Sequence, residues 1–395
     1  MQSRLKLHLS YVSSRARPRQ HILVTKQRGV VLLVVVMLVF LMVTLLAFMI
    51  EDQHLLFRRV SNQNVAEQGY QYAQGANAWA MRLLHDDIDR STDHGKEDWA
   101  KIGQIENPEE NSQGERFSLD RENSEEEEPL PTIDFGEVPI DFFIMDLQSR
   151  YNLNNLSVPE PEARDAQKRI FYNILELVGL TEFDQKDELY DSLLDWMDPN
   201  EEEQPSGFES GSYASLDVPY YAADQALSSL GELRYVRGFT PQIIADLEPY
   251  VTVLPEVGIP ININSGSAGV LASISSGTFV NAGALTNIIE LRKQPEFLGF
   301  VQSDINLVET AIISASGGVA ALPVPGMLSI NSQYYQINVK VTLDKSVYCM
   351  RTKVYRNPRR TDAEIADSVK VLSREYDSLC LNHRPVAQVS VDDIY

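Results

Sequence analysis

Between Val30 and Ile50 the chain runs for 21 residues without a charge: seven Val, six Leu, three Met, two Phe and single Ile, Thr and Ala. At a rise of about 1.5 Å per residue, this run makes a helix of roughly 30 Å, the thickness of a bilayer's hydrocarbon core. The chain is therefore expected to cross a membrane once, with Val30, Val34, Phe40 and Ile50 inside the anchor. Before the run stand Arg4, Lys6, Arg15, Arg17, Arg19, Lys26 and Arg28 with no acid, and directly after it come Glu51 and Asp52. Basic flanks stay on the cytoplasmic side, so about 345 residues are expected on the other side.

A conventional secretory signal has a shorter apolar core and a small-residue cleavage site after it, whereas here Glu51-Asp52-Gln53-His54 follows. The helix is expected to continue from Val30 to Leu84, since no Pro interrupts it. Ala66, Gly69, Ala73, Ala76, Ala80 and Leu83 recur at spacings of 3 and 4, which lines them along one face. Small residues let a helix come close to a partner surface. From Ala73 onward the seam reads as packing within the chain, and nearer the membrane as packing against a neighbour.

Charge limits the partners. The whole chain carries a net charge of -22, and removal of the seven basic residues before Val30 leaves 27 bases against 56 acids, a net charge of -29. Nucleic-acid binding depends on Lys and Arg displacing counterions, so no nucleic acid is expected. Glu232 to Tyr250 is similar to a helix-hairpin-helix, but Asp246, Glu248 and the overall charge favour a structural use. Cys349 and Cys380 are too few for a zinc site and leave one disulfide open, in an exported and oxidising setting. None of the six histidines clusters with another in the body, and no G-x-S-x-G, H-E-x-x-H or phosphate-loop pattern is present, so no catalytic residue is assigned.

The exported part changes character along its length. Glu106 to Pro131, ending in Glu125-Glu126-Glu127-Glu128-Pro129, repels itself and reads as a solvated loop. Pro139 to Asp146 reads as a strand, and the Asn-rich stretch from Arg150 to Leu156 as a turn. Glu162 to Tyr250 is helical, with Ile170, Ile174, Leu175 and Val178 on one face and Leu189, Leu193, Leu194 and Met197 on another. Tyr334 to Leu343 and Val347 to Tyr355 alternate across Asp344-Lys345-Ser346 as a hairpin. Strands on both sides of a helical block imply an insertion. After Pro358 the tail has Ile365, Val369, Val371 and Leu372 as weak helical anchors.

Lys26-Gln27-Arg28-Gly29-Val30-Val31-Leu32-Leu33 resembles a prepilin peptidase site, with cleavage between Gly29 and Val30. Most members of that class have Glu as the fifth mature residue; here it is Val34, as in the K subunit of type II secretion systems. Three further stretches resemble the general secretion pathway protein K family: Asp195-Trp196-Met197-Asp198-Pro199-Asn200, Gly231-Glu232-Leu233-Arg234-Tyr235-Val236-Arg237-Gly238-Phe239, and Leu254-Pro255 followed by Pro260-Ile261-Asn262-Ile263-Asn264. The family reads close to D-W-x-D-x-D, E-L-x-x-V-x-G and N-V-N-T-A at these places. The chain departs from it at Asn200, at Ser265-Gly266 and at Gly207-Phe208-Glu209-Ser210.

The resemblance implies an α+β fold: a long N-terminal transmembrane spine helix, a small antiparallel pseudopilin sheet and an inserted mainly helical domain. The expected divisions are a cleaved basic leader (1–29), the transmembrane and spine helix (30–84), and a first part of the pseudopilin domain with the acidic loop (85–150). The helical insert (151–320), the final strands (321–358) and a C-terminal tail (359–395) complete the chain. It also implies calcium in the loop holding Asp195, Asp198, Asn200 and Glu209, oxygen ligands of the type calcium accepts in irregular geometry. The implied function is that of a minor pseudopilin capping a secretion pseudopilus. The implied partners are the other minor pseudopilins, the major pseudopilin, prepilin peptidase and the inner-membrane secretion platform, with the body in the periplasm and a methylated mature N-terminus. The competing reading is a membrane-anchored exported binding protein with an uncleaved signal anchor.

Overall fold

A computed structural model describes residues 28–87, 89–101, 138–277, 279–316, 323–343, 346–358 and 368–377. The leader up to Gln27 and the acidic loop from Glu106 to Pro131 lie outside the described residues. The chain divides into two compact units, Met1–Asn64 and Val65–Tyr395.

Helix α1, Arg28–Asp86, is continuous for 59 residues. In its first part the apolar side chains from Val30 to Ile50 are exposed, as expected of a surface suited to lipid rather than water. Within the second unit the seam changes role along its length. Ala66 is exposed, whereas Ala73, Ala76, Ala80 and Leu83 are buried in a core shared with the sheet. Gly69 belongs to the buried part: a Cβ there would stand 2.8 Å from the Cβ of Tyr348. The expected switch from neighbour packing to internal packing thus comes earlier than Ala73, because the tyrosine reaches the helix one turn sooner.

After a short helix α2 (Asp98–Lys101), whose Trp99 packs edge-on against Tyr335 at 5.0 Å, the described chain resumes with strand β1 (Ile140–Asp146) and the two-residue β2 (Tyr151–Asn152). Helices α3 (Pro161–Leu177), α4 (Phe183–Met197), α5 (Ser210–Tyr213) and α6 (Pro241–Leu247) follow, then β3 (Val251–Thr252) and β4 (Ile261–Asn262). Next come α7 (Ala268–Ser273), α8 (Thr286–Lys293), α9 (Ile305–Ala315) and β5 (Leu328–Ser329). The long strands β6 (Tyr334–Leu343), β7 (Ser346–Arg356) and β8 (Val369–Asp377) close the described chain.

Strands β1, β6, β7 and β8 form one antiparallel sheet in the order β1-β6-β7-β8. Period-2 alternation gives the sheet two unlike faces. Ile337, Val339, Val341, Met350 and Val354 are buried with the small residues of α1. The alternate positions, among them Gln336, Arg351 and Lys353, turn to the other side.

Strand β8 lies in the segment whose spacing suggests weak helical anchors. Its apolar residues serve a ladder instead: Val369 pairs with Arg356 and Val371 with Val354, and a register shift between Lys353 and Val354 passes over Leu372. Edge pairing, a long-range effect, overrides the local spacing.

The helical block has its own core, reaching from Tyr151 to Met327 and including Ile170, Phe171 and Ile174 of α3 and Leu189, Leu193 and Met197 of α4. The Asn-rich stretch from Arg150 to Leu156, read from sequence as a turn, is a buried clip, and Asn264 serves the same use. Asn154 donates to the carbonyls of Leu227 and Leu254 (3.0 and 2.7 Å) and accepts from the Leu227 N–H (2.9 Å). Asn155 exchanges two bonds with Ile259, and Asn264 bonds both backbone groups of Phe300. Among the described residues the insert has two-residue parallel pairs, β2–β3 and β4–β5, and one bridge, Ser275 to Pro323, so amides rather than long ladders satisfy many of its buried backbone groups. Asp146 is fully enclosed and accepts from Ser265 and Ser332 hydroxyls and the Gln148 N–H; burial pushes its carboxyl up to about 6. Ser265, where the family reads Thr, keeps the hydroxyl this bond needs.

Candidate functional site

The acids singled out in the sequence meet at the end of α4. Asp191 and Asp195 stand one turn apart on this helix and Asp198 follows its last residue. The chain then folds back over them. Gln204 N–H donates to both oxygens of Asp195 at 3.3 and 3.2 Å, and Ser206 N–H donates to Asp191 at 3.0 Å. Asp198 accepts from the Asn200 N–H (3.1 Å) and side-chain amide (2.5 Å), and the Asn200 Oδ1 accepts from Glu202 N–H (2.7 Å). Asn200 is therefore engaged within its own turn. Glu209 occupies the N-cap of α5, accepting from Ser210 N–H at 3.2 Å.

Burial makes this arrangement costly for the acids alone. Asp195 is fully buried and Glu209 nearly so, and the second carboxylate oxygen of Glu209 is buried with no hydrogen-bond partner. Burial, then repulsion from Asp198 and Asp191, raises Asp195 to about 6 against the backbone donors of Gln204 and Phe208. Burial, with repulsion from Asp195, Asp198 and Glu201, raises Glu209 to about 7. Asp198 is also raised, first by burial. The loop reaches this close only because residue 207 is Gly: a Cβ there would lie 1.9 Å from an oxygen of Asp195. Acids crowded under a glycine cradle, with one buried oxygen unpartnered, suit a bound cation. Gly207 and Asp191 were not foreseen; the Gly207-Phe208 step was the available signal.

A second acidic group was not legible in the sequence. Ligand oxygens of Asp87, Asp93 and Glu97 lie within 4.8 Å of one another, closer than the loop acids come as a trio. Here a side chain supplies the positive charge. The Arg356 guanidinium donates to both Asp87 and Asp93, lies 4.8 Å over the Tyr335 ring and also donates to the Ser332 carbonyl. Burial, then Asp93 and Asp87, raises Glu97 to about 9, so it is protonated near neutrality. A guanidinium already in place and a neutral third acid make this an internal ion cluster.

The remaining residues singled out in the sequence are separate from these. Gly29 and Val30 lie in the first turns of α1, and exposed Val34 presents no carboxylate. Cys349, on β7, is disulfide-bonded, and Cys380 lies outside the described residues. The helix-hairpin-helix-like stretch packs its turn inward: Gly238, at a φ of 85°, sits against Leu189 of α4, and Arg237 pairs with Glu188 at 2.9 Å.

Comparison with known proteins bears on the whole chain. The family described as "Type II secretion system (T2SS), protein K" matches residues 149–256, the segment holding the α4 loop and Asn152 to Asn155. The type II secretion system protein K of Pectobacterium carotovorum is 25% identical over 359 residues, covering 89% of this chain and 97% of that protein. The chain is thus similar to type II secretion system protein K over most of its length. The Pseudomonas aeruginosa protein K is 26% identical over 318 residues, covering 80% of this chain and 85% of its own. In the crystal structure of the GspK-GspI-GspJ complex from enterotoxigenic Escherichia coli, one chain superposes with a TM-score of 0.58 at 18% identity, covering 81% of this chain and 99% of that one. The α+β arrangement of apolar N-terminal helix, antiparallel sheet and helices thus has a counterpart among solved structures. The family is a structural one, and the apolar half of α1 is long enough to serve as its membrane anchor.

Proposed function

We propose that this chain is a minor pseudopilin of the protein K kind, which caps the tip of a secretion pseudopilus and helps start its assembly, for export of folded proteins across the outer membrane. The observation that carries this is the insert with its own core from Tyr151 to Met327. Repeated along a tightly packed shaft, a body of this bulk clashes with its neighbours; at a tip one copy suffices. Val34 supports the reading, because a chain without that carboxylate cannot pair with the amino terminus of a subunit ahead of it. By analogy with the complex named above, the neighbours are other minor pseudopilins, with the major pseudopilin beneath and the inner-membrane platform as assembly site. The leader is removed after Gly29 by prepilin peptidase, Val30 becomes the methylated N-terminus, and the body stands in the periplasm on a single inner-membrane span.

Gold-labelled antibody imaging of pseudopili tests the position: label confined to one end is expected, and regular label along the shaft overturns it. Sequencing the N-terminus of the membrane-extracted chain separates this from the uncleaved-anchor reading, for which Met1 remains.

Calcium is proposed for the α4 loop, held by Asp195, Asp198 and Glu209, with Asn200 fixing the turn that presents Asp198. The ion would neutralise the buried acids and tie the loop to α5. Full-length chain in an uncharged detergent should melt higher with calcium than with chelator, and equal melting refutes the assignment.

A further inference from the structure

The face of the sheet opposite α1 is only partly covered. At one end Leu147, Leu254 and Tyr334 form a small core with the insert. Beside them a cleft of about 320 Å³ opens between residues 229–253 of the insert and strands β6, β7 and β8. Four of its lining side chains are cationic, Arg150, Arg234, Arg351 and Lys353, against two acids, Glu248 and Glu375. This is unexpected in a chain with a net charge of -22.

The cations are only partly balanced: Glu248 acts on Arg150, and Glu375 is shared by Arg351 and Lys353. Arg351 pairs with Glu375 at 3.3 Å, but its Nε is buried with no partner. Lys353 donates to the Val253 carbonyl at 3.3 Å, the long end of the hydrogen-bond range, and Arg150 donates to the sulfur of Met145. Desolvation lowers both Arg150 and Lys353, so each gains from an added negative charge. Strand alternation explains the placement: Arg351 and Lys353 flank Thr352 on the face turned from α1, so both side chains enter the cleft together. Leu147, Leu230, Ile244, Val251 and Val253 supply apolar wall.

We propose that this cleft is a binding site for the carboxylate of an acidic peptide segment, with Arg351 and Lys353 at its floor and Arg234 at its rim. The apolar wall favours a peptide, whose methylene and backbone groups it can cover, over a small hydrated anion. The site is separate from the calcium loop and does not depend on it.

The test is fluorescence anisotropy with the full-length chain in an uncharged maltoside detergent and a labelled, terminally blocked hexapeptide alternating Glu and Leu. Binding that disappears with the Gln-Leu analogue is expected. Arg351→Gln and Lys353→Gln should each weaken it roughly tenfold or more, the effect of losing one charge-assisted contact. Arg234→Gln, at an exposed position that folding does not need, should weaken it about threefold, and Glu375→Gln, which releases Arg351, should tighten it about as much. Equal binding of the Gln-Leu peptide, no response to Arg234→Gln and Glu375→Gln, or inorganic phosphate binding where the Glu-Leu peptide does not, each overturns the proposal.

Discussion

Removing the Arg356 guanidinium tests most directly how the body is held together. Its side chain is 1% exposed, and its partners Asp93 and Asp87 are 0% and 11% exposed, so Arg356→Met strands two carboxylates away from water. Breaking a buried ion pair from one side costs roughly 3–5 kcal/mol. For a body of this size each kcal/mol lowers Tm by about 2 °C, which gives a fall of roughly 6–10 °C. The assay is thermal unfolding of the full-length chain in neutral detergent, followed by tryptophan fluorescence, since Trp99 packs on Tyr335 beneath the guanidinium. The loss should depend on pH. Asp87 is already raised by burial, with Arg356 opposing, and without the arginine it rises further. A carboxyl with a raised folded pKa favours the fold when protonated, below its unfolded value, and that contribution is lost as pH rises through the folded pKa. The deficit should therefore be smaller at pH 5 than at pH 8. Adding Asp87→Asn and Asp93→Asn to Arg356→Met removes the stranded charges and should recover about half of the loss. A single variant within about 1 kcal/mol of wild type, or a triple variant no better than the single one, would refute the buried-cluster account.

Calcium at a hundredfold excess over its dissociation constant should add about 2.7 kcal/mol of stability, read as a higher Tm, and Glu209→Gln and Asp198→Ala should each shrink the rise. Gly207→Ala should lower stability by roughly 1–3 kcal/mol, the usual cost of overpacking, in a chemical unfolding curve with calcium present; no loss means that the loop can back away from Asp195. Gly29→Ala should slow leader removal and Gly29→Leu block it, seen as an unshifted band on a gel after incubation with prepilin peptidase; normal processing of Gly29→Leu sinks the cleavage reading.

Much of the architecture was written in local pattern. The uncharged run from Val30, the alternating pair of strands and the 3.6-residue faces of α3 and α4 each carry their period within a dozen residues. The sequence offered less wherever structure depends on distant partners. Strand β8 has helix-like spacing, and only the ladder to β7 makes it a strand. The asparagines of the 152–155 stretch look like turn formers because turn formation is their local preference, and Asn262 and Asn264 announce no use locally. Their buried use needs Leu227, Leu254, Ile259 and Phe300, as far as about a hundred residues away in sequence. The Asp93–Arg356 pair spans 263 positions, and no local signal announces it.

The two acidic groups show why residue type alone does not assign a metal. One gathers three acids and the other four, both raise carboxyl pKa values by burial, and the tighter group is the one the sequence did not reveal. What separates them is the source of positive charge. In the Asp87–Asp93–Glu97 group a guanidinium is inside the cluster and the third acid holds its proton, so the charges are accounted for by the chain itself. In the α4 loop the only cation that bears on the acids is Arg164, which acts on Asp198 among the described residues; the donors are backbone N–H groups and the Asn200 amide, which bear no net charge, and the second oxygen of Glu209 has no partner. Backbone donors orient carboxylates but neutralise none of their mutual repulsion. On the proposed calcium reading an ion from solution completes that loop, whereas the other cluster is complete when the chain folds.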